Sequence, residues 1–220
     1  MTSLEILGAI QSTDKVTHGF LPFYESFMEP NREKPIKFLE IGVFYGSSIK
    51  MWAEYFSNDD SVIVGADWFE GKQGNSSHFP NPNYIFTQTL SPKIKLAKLD
   101  QSNLANLQAF AKSYSESSFD YILDDGSHLM KDQQTTFISL FPLLKSGGTY
   151  ILEDLHTSFD SGYDVEKGKM TTYEMVESFV RNKYPDLAYL PLPTSLFQSI
   201  ASAQLFRSPS GSLTCAIVKK

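Results

Sequence analysis

Between Pro35 and Leu152 the chain repeats one pattern five times: a short apolar run of strand type with an acid inside it or directly after it. Residues 36–41 contain Glu40. Residues 62–66 are followed by Asp67, and residues 94–99 by Asp100. Residues 120–123 lead into Asp124-Asp125-Gly126-Ser127-His128, and residues 149–152 into Glu153-Asp154-Leu155-His156. Helical patterning at 47–55, 104–114 and 130–144 falls between these runs. Strands alternating with helices imply a parallel sheet covered on both faces. Ligands of such sheets bind beyond the carboxyl ends of the strands, which is where the acids fall.

The remaining segments fit around that core. Residues 3–28 read as one or two helices broken near Ser12-Thr13-Asp14. The helix at 130–144 is expected to stop at Lys145-Ser146-Gly147-Gly148, with glycine as a left-handed cap. A helix at 170–184 stops at Pro185. Strands at 200–206 and 213–218, joined by Ser208-Pro209-Ser210-Gly211, form a hairpin that adds an antiparallel strand to the sheet edge. The expected fold is α/β: a Rossmann-like doubly wound sheet of seven strands with a terminal antiparallel hairpin and N-terminal helices. It forms one domain over 1–220, with a helical cap at 1–34 and the core at 35–220. Residues 68–92, which include His78, read as a long irregular loop. Loops of that length are usually functional or mobile. A lid, a homo-oligomer contact and an inert connection all remain open for it.

Composition narrows the partners. The formal charge is −6 and no run of Lys or Arg occurs, so a nucleic-acid partner is excluded. Cys215 is the only cysteine, so neither an internal disulfide nor a cysteine zinc cluster can form. No apolar stretch reaches the roughly 18 residues of a membrane span, and the N-terminus lacks the pattern of a secretory leader. A soluble, cytoplasmic protein acting on a small molecule is expected.

The first strand runs through Glu40-Ile41-Gly42-Val43-Phe44-Tyr45-Gly46-Ser47 into a helix. Gly42 and Gly46 allow a tight turn and close approach of a ligand. The helix start offers free N–H groups to an anion. Phe44 holds the middle glycine position of the dinucleotide pattern, which argues against NAD. Glu40 is placed to accept from a cationic amine, Asp67 from ribose hydroxyls. Asp100-Gln101 stands where an adenine would lie. Together these positions describe a pocket for S-adenosylmethionine. Asp124 either faces that cofactor or caps the following turn.

The carboxylates crowded at the fourth and fifth strand ends would repel one another unless a cation sits between them. A nearby histidine can then move a proton. A divalent-metal enzyme is the leading reading.

These motifs resemble the class I S-adenosylmethionine-dependent methyltransferases. Within that class, the chain is similar to metal-dependent sugar O-methyltransferases acting on macrolide and rhamnosyl glycosides, and to their cephalosporin hydroxylase relatives. The resemblance covers residues 10–160. It rests on Ser12-Thr13-Asp14-Lys15 with His18, Leu39-Glu40-Ile41-Gly42 with Ser48 and Met51-Trp52, Asp100-Gln101-Ser102, and the two acid motifs. It implies Asp125, Glu153 and Asp154 as metal ligands and His128 as the base, with Ser48 in the cofactor pocket. Three oxygen donors suit Mg²⁺, with Mn²⁺ or Ca²⁺ as substitutes. A sugar hydroxyl is hardly ionised at neutral pH, so it needs both a cation and a base. His18 and Tyr24 belong to the N-terminal part of the pattern, where closing over the site and packing are equally open. His156 is open between acceptor contact and a loop hydrogen bond.

The expected reaction is Mg²⁺-dependent methyl transfer to a sugar hydroxyl, on a deoxyhexose such as rhamnose in a glycoside or glycan. Two vicinal hydroxyls can chelate one ion. A catechol acceptor is the first alternative; Glu153-Asp154 and His128 weigh against it. A non-catalytic cofactor-binding scaffold is the second.

Overall fold

The computed structural model describes residues 2–70, 84–163, 169–187 and 189–220. Three helical pieces open the chain: α1 (Ser3–Gln11), α2 (Lys15–His18) and α3 (Leu21–Met28). Thr2 and Glu5 form a capping box on α1, and Ser12 ends it in the left-handed region. The break near Ser12–Asp14 is therefore present, but Gly19, with φ +73°, adds a second one.

The core runs β1 (Lys37–Ile41), α4 (Ser47–Tyr55), β2 (Val62–Asp67), β3 (Ile94–Lys98), α5 (Leu104–Lys112), β4 (Phe119–Asp124), α6 (Met130–Leu140) and β5 (Leu144–Leu152). It continues with α7 (Thr172–Val180), α8 (Thr194–Gln198), β6 (Ile200–Arg207) and β7 (Leu213–Lys219). These form one seven-stranded sheet in the order β3-β2-β1-β4-β5-β7-β6. β1 to β5 are parallel; β7 pairs antiparallel with β5, and β6 with β7. The chain turns back across the sheet between β1 and β4. That is the topological switch point, where open α/β sheets bind ligands.

Successive strand side chains point to opposite faces. Leu39, Ile41, Ile122 and Leu152 join one apolar cluster with α5, α6 and α7. Phe38, Leu123 and Ile151 join another with α1, α3 and α4. Both faces are thus covered, which accounts for the nearly continuous apolar strand sequences.

Lys145-Ser146-Gly147-Gly148 departs from expectation. Helix α6 ends at Leu140 and a 3-10 turn over Phe141–Leu143 follows. Pro142 cannot continue the α-helix. The four residues lie inside β5, where Leu144 pairs with Phe119 and the register then shifts before Thr149 meets Tyr121. Gly147 takes φ +77°, and Lys145 Nζ bonds Asp120 at 2.8 and 2.9 Å. The glycine is in the left-handed region, but within an irregular strand. Of the loop at 68–92, residues 71–83, with His78, lie outside the described residues. Its return includes a 3-10 turn over Tyr84–Thr87, and Ile85 is buried against the Gly46 turn.

Candidate active site

Glu40 lies on β1 with its side chain fully buried. Trp52 Nε1 donates to its Oε1 at 3.2 Å, and Ser48 also bonds its carboxylate. Its Oε2 is buried without a partner. Burial pushes the carboxyl up to about 7, although the nearby Lys15 ammonium and these hydrogen bonds pull it back. An acid with an unmatched buried oxygen fits a cationic ligand group.

The turn after β1 is held by Asp67 at the end of β2. Its Oδ2 accepts from the backbone N–H of Val43 at 2.8 Å and of Phe44 at 3.3 Å, and Oδ1 accepts from Phe69 N–H at 3.0 Å. Gly42 (φ +88°) and Gly46 (φ +79°) make the turn possible. A Cβ on Gly42 would fall on the carbonyl oxygen of Asp125. The close approach at Gly42 is therefore between the loops after β1 and β4, which are also joined by Asp125 N–H donating to Ile41 O at 2.9 Å. Gly42→Ala is expected to cost on the order of 3 kcal/mol, since it combines a left-handed φ with a backbone clash. Chemical denaturation measures this, and a loss within about 0.5 kcal/mol contradicts it.

Asp100 and Gln101 follow β3. Asp100 Oδ1 accepts from Ser102 N–H at 3.0 Å and Ser102 Oγ at 2.6 Å. Gln101 donates through Nε2 to Asp124 Oδ1 at 2.7 Å and accepts from Ser127 N–H at 2.8 Å. Gln101 thereby ties the end of β3 to the Asp-Asp-Gly-Ser-His turn. Gly126 makes room for it, since a Cβ there would strike the Gln101 amide.

The pair at the end of β4 divides by strand parity. Asp124 is buried and accepts from Gln101 and, at 3.0 Å, from Tyr150 Oη. Burial raises its carboxyl to about 7, against the pull of those two donors. Asp125 lies on the other side, where its Oδ2 accepts from Lys15 Nζ. Glu153, one residue past β5, has Oε1 3.0 Å from the same Nζ, and Glu40 Oε1 is 4.0 Å away. Lys15 is 1% exposed. Burial alone would lower its pKa, but Asp125, Glu153 and Glu40 outweigh it and hold the ammonium well above the ordinary lysine value. Tyr24 from α3 reaches the same place: its hydroxyl lies beside the Glu153 carboxylate and 3.1 Å from Thr214 Oγ1.

Asp154 and His128 close the outer side. Both have positive φ, +54° and +60°. Two non-glycine residues held in this sparsely populated region mark a constrained site. His128 Nδ1 lies 3.4 Å from Asp154 Oδ2, and His156 Nδ1 lies 3.8 Å from Asp154 Oδ1. Ligand atoms of Asp125, His128 and Asp154 all fall within 4.8 Å of one another, and Asp154 Oδ1 is buried without a hydrogen-bond partner. Two carboxylates, one of them with an unmatched buried oxygen, beside an imidazole fit a divalent cation.

The fold thus gathers Asp125, His128 and Asp154 on one side and Asp125, Glu153 and Glu40 around Lys15 on the other. Asp67, Asp100, Gln101 and Asp124 spend hydrogen bonds inside the protein. Among the N-terminal residues Tyr24 touches the acids, whereas His18 Nδ1 bonds Ser212 Oγ of the terminal hairpin at 2.8 Å. Lys15 was visible in the sequence only as part of Ser12-Thr13-Asp14-Lys15; its contact with Asp125 spans 110 positions.

Residues 39–155 match the family model described as a methyltransferase domain. The 8-demethyl-8-(2-methoxy-alpha-L-rhamnosyl)-tetracenomycin-C 3'-O-methyltransferase of Streptomyces olivaceus is 33% identical over 71% of the chain and 38% of its own length. The demethylmacrocin O-methyltransferase of Streptomyces fradiae is 30% identical over 74% of the chain and 39% of its own length. The chain therefore spans about two-fifths of the length of these relatives. Among solved structures, the MycE methyltransferase of the mycinamycin biosynthetic pathway, in complex with Mg, SAH and mycinamycin VI, superposes with a TM-score of 0.74. That match has 22% identity and covers 99% of the chain and 53% of MycE.

Proposed function

The chain belongs to the methyltransferase-domain family, and from that membership we propose that it transfers a methyl group from S-adenosylmethionine to a hydroxyl of a sugar in a divalent-metal-dependent reaction. The observation that carries this reading is the meeting of Asp125, His128 and Asp154 at the switch point, where Gly42 lies against the Asp125 backbone. The two curated relatives are named for O-methylation, and one for a rhamnosyl acceptor.

Each residue has a role in this account. Glu40, fixed by Trp52 and Ser48, takes the donor's amine, and the loop from Gly42 to Gly46 borders the donor. Asp67, Asp100, Gln101 and Asp124 shape that side of the pocket through the bonds described above. Asp125 and Asp154 offer carboxylate oxygens to Mg²⁺; Glu153, third of the acid set, stands behind Asp125 with Lys15. A divalent cation held by Asp125 and Asp154 would favour the ionised form of an acceptor hydroxyl. His128 has Nδ1 turned to Asp154, leaving Nε2 to take the hydroxyl proton. Asp154 stabilises the imidazolium that results. The electron pair freed on that one hydroxyl oxygen forms the new bond to the methyl carbon, the pair of the breaking carbon–sulfur bond stays on sulfur to give S-adenosylhomocysteine, and the proton leaves from His128 to solvent. Aligning oxygen, carbon and sulfur is the remaining task, and proximity carries much of the acceleration. Phe159, which is 65% exposed and follows the Asp154–His156 turn, offers an apolar surface to the C–H face of a sugar.

Glu40 gives this account a pH signature. Below about 7 its carboxyl is mostly protonated in the free protein, whereas pairing with a cationic amine favours the carboxylate. Donor binding then releases a proton, and affinity falls towards tenfold per unit as pH drops below about 7. Calorimetric titration with S-adenosylhomocysteine at pH 6 and pH 8, in two buffers of different ionisation enthalpy, measures both effects. Equal affinity at the two pH values would contradict the role given to Glu40.

A panel of acceptors tests the substrate class. A deoxyhexose glycoside with two neighbouring hydroxyls should be methylated, with NMR locating the new methyl ether. Its analogue lacking one of those hydroxyls should not. Methylation of catechols alone, or of neither class, overturns the sugar reading.

A further inference from the structure

We infer that Lys15 is a resident counter-ion that holds Asp125, Glu153 and Glu40 together in the absence of a divalent cation and weakens the grip of the acid cluster on that cation. The inference rests on the metal site proposed above and concerns a residue that site does not use.

Lys15 is delivered by the N-terminal segment to the interior of the sheet edge. Its Nζ is bonded to Asp125 Oδ2, sits 3.0 Å from Glu153 Oε1 and lies 4.0 Å from Glu40 Oε1. All four side chains belong to the sheet face covered by α1, α3 and α4. The parity of β1, β4 and β5 puts Glu40, Asp125 and Glu153 on that face, and α2 brings the one ammonium in contact with them among the described residues. Three carboxylates so close would repel one another, and leaving them unpaired in a buried site is strongly unfavourable. One ammonium offsets that repulsion without any metal. It also occupies a lone pair of Asp125 and places a positive charge 3.0 Å from Glu153 Oε1, so a divalent ion meets one fewer free oxygen and a repelling neighbour. Lys15 therefore acts through the acids, as a positioning residue, and Glu40 extends its reach to the donor side.

The test compares wild type with Lys15→Met, which keeps length and apolar bulk but removes the charge. Mn²⁺ binding is read by electron paramagnetic resonance, and the melting temperature is followed with and without Mn²⁺. Wild type should bind Mn²⁺ and gain less in melting temperature from it than Lys15→Met does. Lys15→Met should melt lower without metal, recover with it, and bind Mn²⁺ at least about tenfold more tightly. Adding Glu153→Gln to Lys15→Met removes one of the carboxylates left unpaired, so the double variant should melt above the single one without metal. If Lys15→Met alone does not fold, folding of the double variant decides: a folded double variant supports the inference and an unfolded one overturns it. Unchanged or weaker Mn²⁺ affinity in Lys15→Met, no recovery with metal, or a double variant no more stable than the single one also overturns it. Absence of Mn²⁺ binding in wild type overturns the metal reading itself, which distinguishes the two failures.

Discussion

His128→Ala should slow methyl transfer by about 10²–10⁴-fold, the range for loss of a positioned general base. The imidazole is firmly placed by its surroundings. Its φ of +60° puts it in a region that costs a non-glycine residue energy, and Nδ1 lies 3.4 Å from Asp154. Thr157 Oγ1 donates to the His128 carbonyl at 3.2 Å and to the Asp154 carbonyl at 2.7 Å, so one hydroxyl steadies both strained residues. Donor affinity should survive, because Glu40 and the Gly42–Gly46 loop lie on other elements. Single-turnover rates with saturating donor separate chemistry from binding. A wild-type rate at neutral pH in His128→Ala means the base is elsewhere.

Asp125→Asn is the second large effect, with loss of nearly all metal-stimulated turnover expected. Asp125 belongs to both halves of the cluster: it meets His128 and Asp154 on one side and accepts from Lys15 on the other. The substitution removes a charge from the proposed cation site and leaves the buried ammonium with one fewer anion. Stability should therefore fall as well, by roughly 3–5 kcal/mol if the ammonium finds no substitute partner. Turnover against Mg²⁺ concentration, with S-adenosylhomocysteine affinity as a control, measures the first effect, and denaturation the second. Full metal-stimulated activity in this variant would remove Asp125 from the ligand set.

Much of this arrangement was legible because it depends on strand ends. The five acid-ended apolar runs became β1 to β5, and the terminal hairpin joined them in antiparallel fashion. Once the strands are parallel and neighbours, their last residues converge whatever the loops do. The period of two also separates Asp124 from Asp125, and this could have been read from the apolar residues before them. Two features were not legible. Lys145–Gly148 carry the signature of a helix stop, yet α6 ends earlier, at Leu140 before Pro142, and the glycines fall in a strand irregularity opposite Phe119 and Tyr121. Local propensity cannot register that pairing. The expectation that the carboxylates need a cation met an answer from inside the chain, because Lys15 sits between Asp125 and Glu153. Its sequence neighbours, Asp14 and Val16, carry no sign of a partner 110 positions away; only the packing of α2 against the sheet edge supplies it.

The central claim is that this site methylates a sugar hydroxyl only with a divalent cation in place. Release of S-adenosylhomocysteine from S-adenosylmethionine, in the presence of a deoxyhexose glycoside carrying a vicinal diol, tests it directly when measured with Mg²⁺ and again with excess EDTA. Release that requires both the glycoside and Mg²⁺ is the predicted result. Release that proceeds equally well in EDTA would contradict it.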